Sequence, residues 1–180
     1  MKNKSKLYLP AISALFAALC TVFVYFIHIP NGLGGYTHAG DMFVYLAASM
    51  LPTPYAAMAG GVGFALADLI SGYPHYMLPS AIIRIFIVLL FSYKQEKILC
   101  KRNYIALPLA AIITIGGYAI TKYFIYILMK SETSQAAIAA AVASIPGNIM
   151  QCIISSAIFI MLSLTLDKLN FKKQVLSKVD

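Results

Sequence analysis

Tryptophan is absent from this chain, and acidic side chains are scarce: six of its 180 residues are Asp or Glu. Charged residues of both signs make up only 11%, against roughly a quarter in soluble domains, so the composition lies far outside the water-soluble globular range. Three cysteines are present, Cys20, Cys100 and Cys152. Two lie in apolar runs and one in a basic stretch, with no C-x-x-C pair. That pattern argues against a disulfide framework and against a metal site. No H-E-x-x-H, G-x-S-x-G or Walker A sequence occurs. No catalytic set is visible and no cofactor is implied, and any ATP-driven process would need partner subunits.

What is there is apolar. Hydrophobic residues supply 61% of the chain, gathered into runs at 7–29, 39–51, 55–71, 77–92, 104–129 and 136–166. A helix of about 20 residues crosses a hydrocarbon core of about 30 Å, so the sequence predicts one all-α integral membrane domain over 1–180, a bundle of six transmembrane helices in a lipid bilayer. The first run follows a basic N-terminus like a signal peptide, but it continues to Ile29, too long for a cleaved apolar region. The second run is short, and Pro52 and Pro54 end it.

The net charge of +8 is placed like a topology signal. Lys2, Lys4 and Lys6 precede the first run; Lys94, Lys97, Lys101 and Arg102 fall between the fourth and fifth; Lys168, Lys172, Lys173 and Lys178 form the tail. These hold eleven of the fourteen basic residues, while the loops on the other side hold only Lys130. Basic loops stay cytoplasmic, which places both termini inside and the stretch GGYTHAGD (34–41) outside. Juxtamembrane clusters without interleaved aromatics also speak against nucleic acid as a partner.

Two cations, Arg84 and Lys122, fall within apolar runs. A charge in the bilayer core costs about 3 kcal/mol or more, so such a residue points to a functional or paired role. Each lies about seven residues below the outer end of its helix, roughly 10 Å down. Asp41 opens the second run and Asp68 lies near the outer end of the third. Tyr36, His38, Tyr73, His75 and Tyr76 occupy the loops above, and Asn148 and Gln151 share one side of the last helix at i and i+3. The convergence predicts a small-molecule pocket opening outward, with the loop delivering a tyrosine, a histidine and a carboxylate to its mouth. Plainer readings stand beside it. Asp68 and Arg84 suit a structural ion pair, Lys122 suits snorkelling to the interface, and His38 and His75 suit exposed loop positions. Asp41 suits a helix N-cap, and the two amides suit helix–helix hydrogen bonds.

Small residues four apart form a second pattern. Ala56 with Gly60 and Ala57 with Gly61 predict close packing of the third helix. Ala14 and Ala18 repeat the spacing in the first helix, where it fits internal packing or a docking face for another protein.

The stretch from GGYTHAGD through GGVGFALADLISGY, together with PGNIMQ (146–151), resembles the substrate-binding S components of energy-coupling factor (ECF) vitamin transporters, of the riboflavin and hydroxymethylpyrimidine type. The resemblance implies that the chain binds a vitamin or precursor in an outward-facing pocket of a bacterial plasma membrane. A transmembrane coupling subunit and two ATPase subunits would drive uptake, with the A-x-x-x-A of Ala14 and Ala18 docking on the coupling subunit and residues 32–36 acting as a lid. Ser80 and Arg84 depart from the threonine and lysine that relatives often carry. Tyrosines, amides and charges of both signs suit a pyridine or pyrimidine of the vitamin B6 or thiamine-precursor kind, with riboflavin or another vitamin-like metabolite as the alternative. A stand-alone small transporter and a membrane enzyme are the competing classes.

Overall fold

A computed structural model describes residues 2–30 and 36–177 of the chain. Each apolar run forms a helix: α1 (Lys2–Phe26), α2 (Asp41–Met50), α3 (Thr53–Ile70), α4 (Met77–Leu90), α5 (Lys101–Leu128) and α6 (Ser134–Lys168), with a short α7 (Phe171–Leu176) after them. Four of these, α1, α3, α5 and α6, are long and apolar enough to cross a membrane. α2 has 10 residues and α4 has 14, the latter preceded by a 3-10 turn at Pro74–Tyr76. The prolines expected to break helices end α2, where Pro52 becomes the N-cap of α3. Pro10, Pro108 and Pro146 instead lie inside helices, where packing against neighbouring helices compensates for the missing N–H.

The short α2 is the centre of the bundle. All ten of its residues are buried, and it packs against α1, α3, α4 and α6. Its length therefore reflects enclosure by the longer helices. Around it, α1 lies against α3, α3 against α4, α4 against α5 and α5 against α6.

The polarity of the bundle is inverted relative to a soluble protein. Leu7, Leu78, Ile112 and Leu128 are exposed, whereas Asp41, Ser80, Arg84, Thr114 and Ser155 are wholly buried. An apolar exterior around polar groups suits lipid as the solvent.

α1 and α3 touch almost backbone to backbone. A Cβ on Gly63 would sit 2.7 Å from the Ala17 carbonyl oxygen and 2.8 Å from the Cys20 Cβ. Thr21 Oγ1 donates to the Gly63 carbonyl at 2.9 Å and Ser13 Oγ to the Tyr55 carbonyl at 2.7 Å. The close approach on the α1 side thus falls at Gly63. Of the spacing singled out above, Gly60 faces Val44 of α2 and the Arg84 Cβ of α4, while Gly61 has only ordinary contacts with Ile85 and Ala81.

Two features were not expected. Strands β1 (His28–Pro30) and β2 (Tyr36–His38) pair antiparallel, with His28 opposite His38 and Pro30 opposite Tyr36. Residues 31–35, most of the expected lid, lie outside the described residues. At the other end, the Asn170 backbone turns in the left-handed region, a conformation Asn tolerates, and folds α7 back. Lys172 of α7 is buried and donates to the Gln95 carbonyl at 2.5 Å. Asp167 accepts from the Ile98 and Leu99 N–H groups, and Asn103 ties down Ser92 and Ile98. The α4–α5 connection is fixed to three helices by these bonds.

Candidate functional site

The polar side chains form two clusters with different geometry. The deeper one is a triad centred on Asp41. Arg84 Nη2 lies 2.7 Å from Asp41 Oδ1, both side chains fully buried, and Gln151 Nε2 donates to Asp41 Oδ2 at 2.7 Å. The guanidinium lies 4.0 Å over the Phe64 ring and 5.2 Å from that of Tyr118, so cation–π contact adds to the ion pair. Asp41, at the first turn of α2, thereby joins α4 and α6 to the central helix.

The second cluster surrounds a cavity lined by Tyr36, His38, Asp68, Tyr76, Tyr118, Lys122, Ser144 and Asn148. Its free volume is only about 30 Å³, room for about two waters, so a ligand enters only when side chains part. Tyr36 links the hairpin to this cavity. Its hydroxyl, on β2, donates to Asp68 Oδ1 and joins the hairpin to α3. Burial and the neighbouring Asp68 carboxylate hold the Tyr36 phenol above its ordinary value, which keeps it a donor throughout the physiological range. The Tyr36 ring lies 5.1 Å from that of Tyr73 and 5.6 Å from His38. Ser80 and Tyr118 share a 3.0 Å hydrogen bond. Lys122 Nζ lies 5.8 Å from the Tyr76 ring.

Of the ten ligand-site candidates named from the sequence, the cavity brings together Tyr36, His38, Asp68, Lys122 and Asn148. Asp41, Arg84 and Gln151 belong to the triad. Tyr73 and His75 are partly buried beside the cavity, His75 ringed by Tyr73 and Tyr76.

Several plainer readings are corrected. Arg84 bridges to Asp41, 43 residues away, and Asp68 receives the Tyr36 hydroxyl in its place. Asp41 is not the N-cap: Gly40 holds that position without a side-chain cap bond, and the Asp41 carboxylate is committed to Arg84 and Gln151. Lys122 is 2% exposed and turned to the cavity, which rules out snorkelling. His38 is buried against Phe64, ring centroids 5.1 Å apart, because the hairpin folds it inward. For the amides, the plain reading holds for Gln151, which bonds across to α2, while Asn148 lines the cavity.

Tyr76, expected in the loops above the pocket, lines the cavity too, whereas Tyr118 and Ser144 were not among the candidates. Tyr118 precedes Lys122 by one helical turn and Ser144 precedes Asn148 by one turn. The i, i+4 rule applied backward from the candidates would have found both.

An inverted bundle with two polar clusters around a buried central helix defines a multi-pass membrane protein with a candidate small-molecule cavity. The family model described as "ECF-type riboflavin transporter, S component" matches residues 5–168, nearly the whole chain. The chain belongs to this family and is a substrate-binding subunit of an ECF vitamin transporter. No functionally curated protein matches it.

Proposed function

We propose that the cavity between α3, the 3-10 turn before α4, α5, α6 and the hairpin is the vitamin site, and that it takes a single-ring pyridine or pyrimidine of the vitamin B6 or hydroxymethylpyrimidine kind. The observation that carries this is the lining: three tyrosines for an aromatic ring, with Asp68, Lys122 and Asn148 for polar substituents. A pocket with aromatic walls and a few converging polar groups is the usual form of a small-molecule site. A three-ring flavin demands a much larger parting of these side chains than one ring does. Riboflavin is the second reading, favoured by the family's own description. Titration calorimetry of the purified protein with pyridoxine, hydroxymethylpyrimidine and riboflavin separates them. The first reading expects a one-ring ligand to bind most tightly; tight binding of riboflavin alone would replace it with the second.

In the same reading all six helices sit in the bilayer with both termini cytoplasmic, so the hairpin and cavity face outward. Ala14 and Ala18 dock on a transmembrane coupling subunit that works with two ATPases. Both alanines are exposed, and small exposed residues four apart admit a close helix partner. Replacing both with leucine should abolish uptake in cells carrying the whole transporter while ligand binding stays intact. Uptake that survives would favour a stand-alone carrier.

A further inference from the structure

The end of the bundle remote from the hairpin carries a groove that the vitamin site does not use. It lies between the end of α4 and the start of α5, with a volume of about 570 Å³. Lys101 and Arg102 stand at its mouth, and Leu90, Ile105 and Leu109 line it. Lys101, Ile105 and Leu109 recur every four residues, so they form one stripe of α5 running about 12 Å down the helix, from charged to apolar. All three are exposed.

Arg102 is held in place before anything binds. Its Nε donates to the Leu90 carbonyl at 3.1 Å and its Nη2 to that of Leu89 at 3.4 Å. Both acceptors lie at the end of α4, which leaves three of its five N–H donors for a ligand. Gln95 borders this groove and also a second hollow lined by Lys94, Lys97, Lys172 and Lys173, so the positive field extends across the whole connection. Its nearby acidic groups offset this little. Asp167 and Glu96 are set against Lys94, Lys97, Lys101, Arg102, Lys172 and Lys173.

We propose that this groove binds an anionic phospholipid, its phosphate between Lys101 and Arg102 and an acyl chain along Leu90, Ile105 and Leu109. A free anion would use the mouth and leave the apolar floor uncovered. A neutral lipid would use the floor and leave the cations unmatched. Only a ligand with both parts matches the stripe, and anionic lipids concentrate in the cytoplasmic leaflet. The assignment of that leaflet rests on the orientation given above.

The test is native mass spectrometry of the detergent-purified chain mixed with phosphatidylglycerol or phosphatidylcholine of identical chains. Phosphatidylglycerol should be retained preferentially, and Lys101→Glu should weaken its retention about tenfold, reversing a charge at the membrane surface. Ile105→Asn should weaken both lipids, while Lys130→Glu at the opposite end should change neither. Both groove side chains are exposed, and circular dichroism of each variant checks the fold. Equal retention of the two lipids, or unchanged retention in Lys101→Glu, would overturn the proposal. So would displacement of phosphatidylglycerol by inorganic phosphate alone, which would show a site for phosphate without chains. Loss of assembly with the coupling subunit at unchanged lipid retention would mark the groove as a protein contact instead. Vitamin titrations on the same samples keep the readouts separate: a protein that retains phosphatidylglycerol but binds no vitamin contradicts the function above and not the lipid site.

Discussion

The two polar clusters are built from similar groups and have opposite outlooks. Each contains a carboxylate, a cation, an amide and aromatic rings. Around Asp41 and Arg84 the charges face one another at 2.7 Å, with Gln151 on the second carboxylate oxygen. Around Asp68 and Lys122 the groups face a cavity. A buried ion pair with its charges matched holds helices together, even though Arg84 Nε and Nη1 have no hydrogen-bond partner. Charged groups arranged around a space are costly to bury unless something enters that space. On the proposed reading the triad belongs to the architecture and the cavity takes the ligand.

The largest expected effect breaks the triad. Arg84→Met leaves the Asp41 carboxylate buried without its partner, a loss of about 3–5 kcal/mol, so thermal unfolding in detergent should shift strongly downward. Combining it with Asp41→Leu should recover much of the loss, since a matched apolar pair removes the stranded charge. A variant as stable as the parent would remove the distinction between the clusters.

Asp68→Asn should behave in the opposite way. Ligand affinity should fall about 10- to 100-fold, the range for hydrogen bonds to charged groups, with the melting temperature nearly unchanged. If Asp68→Asn unfolds the protein as readily as Arg84→Met, Asp68 is architectural too. Tyr36→Phe sharpens the same point on a smaller scale. Removing the hydroxyl that donates to Asp68 should alter ligand association and dissociation rates about tenfold, the low end for a hydrogen bond to a charged group, as stopped-flow binding would record.

The smallest effect concerns a third buried polar group, Lys172. Burial lowers its pKa to about 8 from the ordinary 10.5. Between these values the unfolded chain holds more protons than the folded one, so stability rises with pH. Docking of α7 should tighten from pH 7 to 10, read as slower hydrogen exchange after correction for intrinsic rates. Lys172→Met should flatten that dependence.

The order of helices was legible because each apolar run is bounded by charge, proline or glycine. The intramembrane ionisable residues were equally legible, because a charge inside an apolar run has few explanations. Their pairing was not. Asp68 and Arg84 lie on consecutive helices, yet Arg84 reaches Asp41 because α2 occupies the centre of the bundle and turns the first residue of its helix toward α4. Nothing in a ten-residue apolar run distinguishes a helix enclosed by its neighbours from a short span in lipid. The hairpin escaped notice because its strands are three residues each, too short to show an alternating pattern, and its folding is what buries His38. Tyr118 and Ser144 were readable by helical spacing, but tyrosine and serine are common enough in apolar helices to pass without comment.

The proposed function rests on the cavity around Asp68 being a vitamin site. The most direct test is mass spectrometry of whatever small molecule co-purifies with the protein in mild detergent, beside the Asp68→Asn variant prepared identically. The account predicts a near-stoichiometric heterocycle on the parent protein, depleted from a variant that remains folded. A heterocycle retained equally by both proteins, or a parent that emerges empty and binds no vitamin offered, would contradict it.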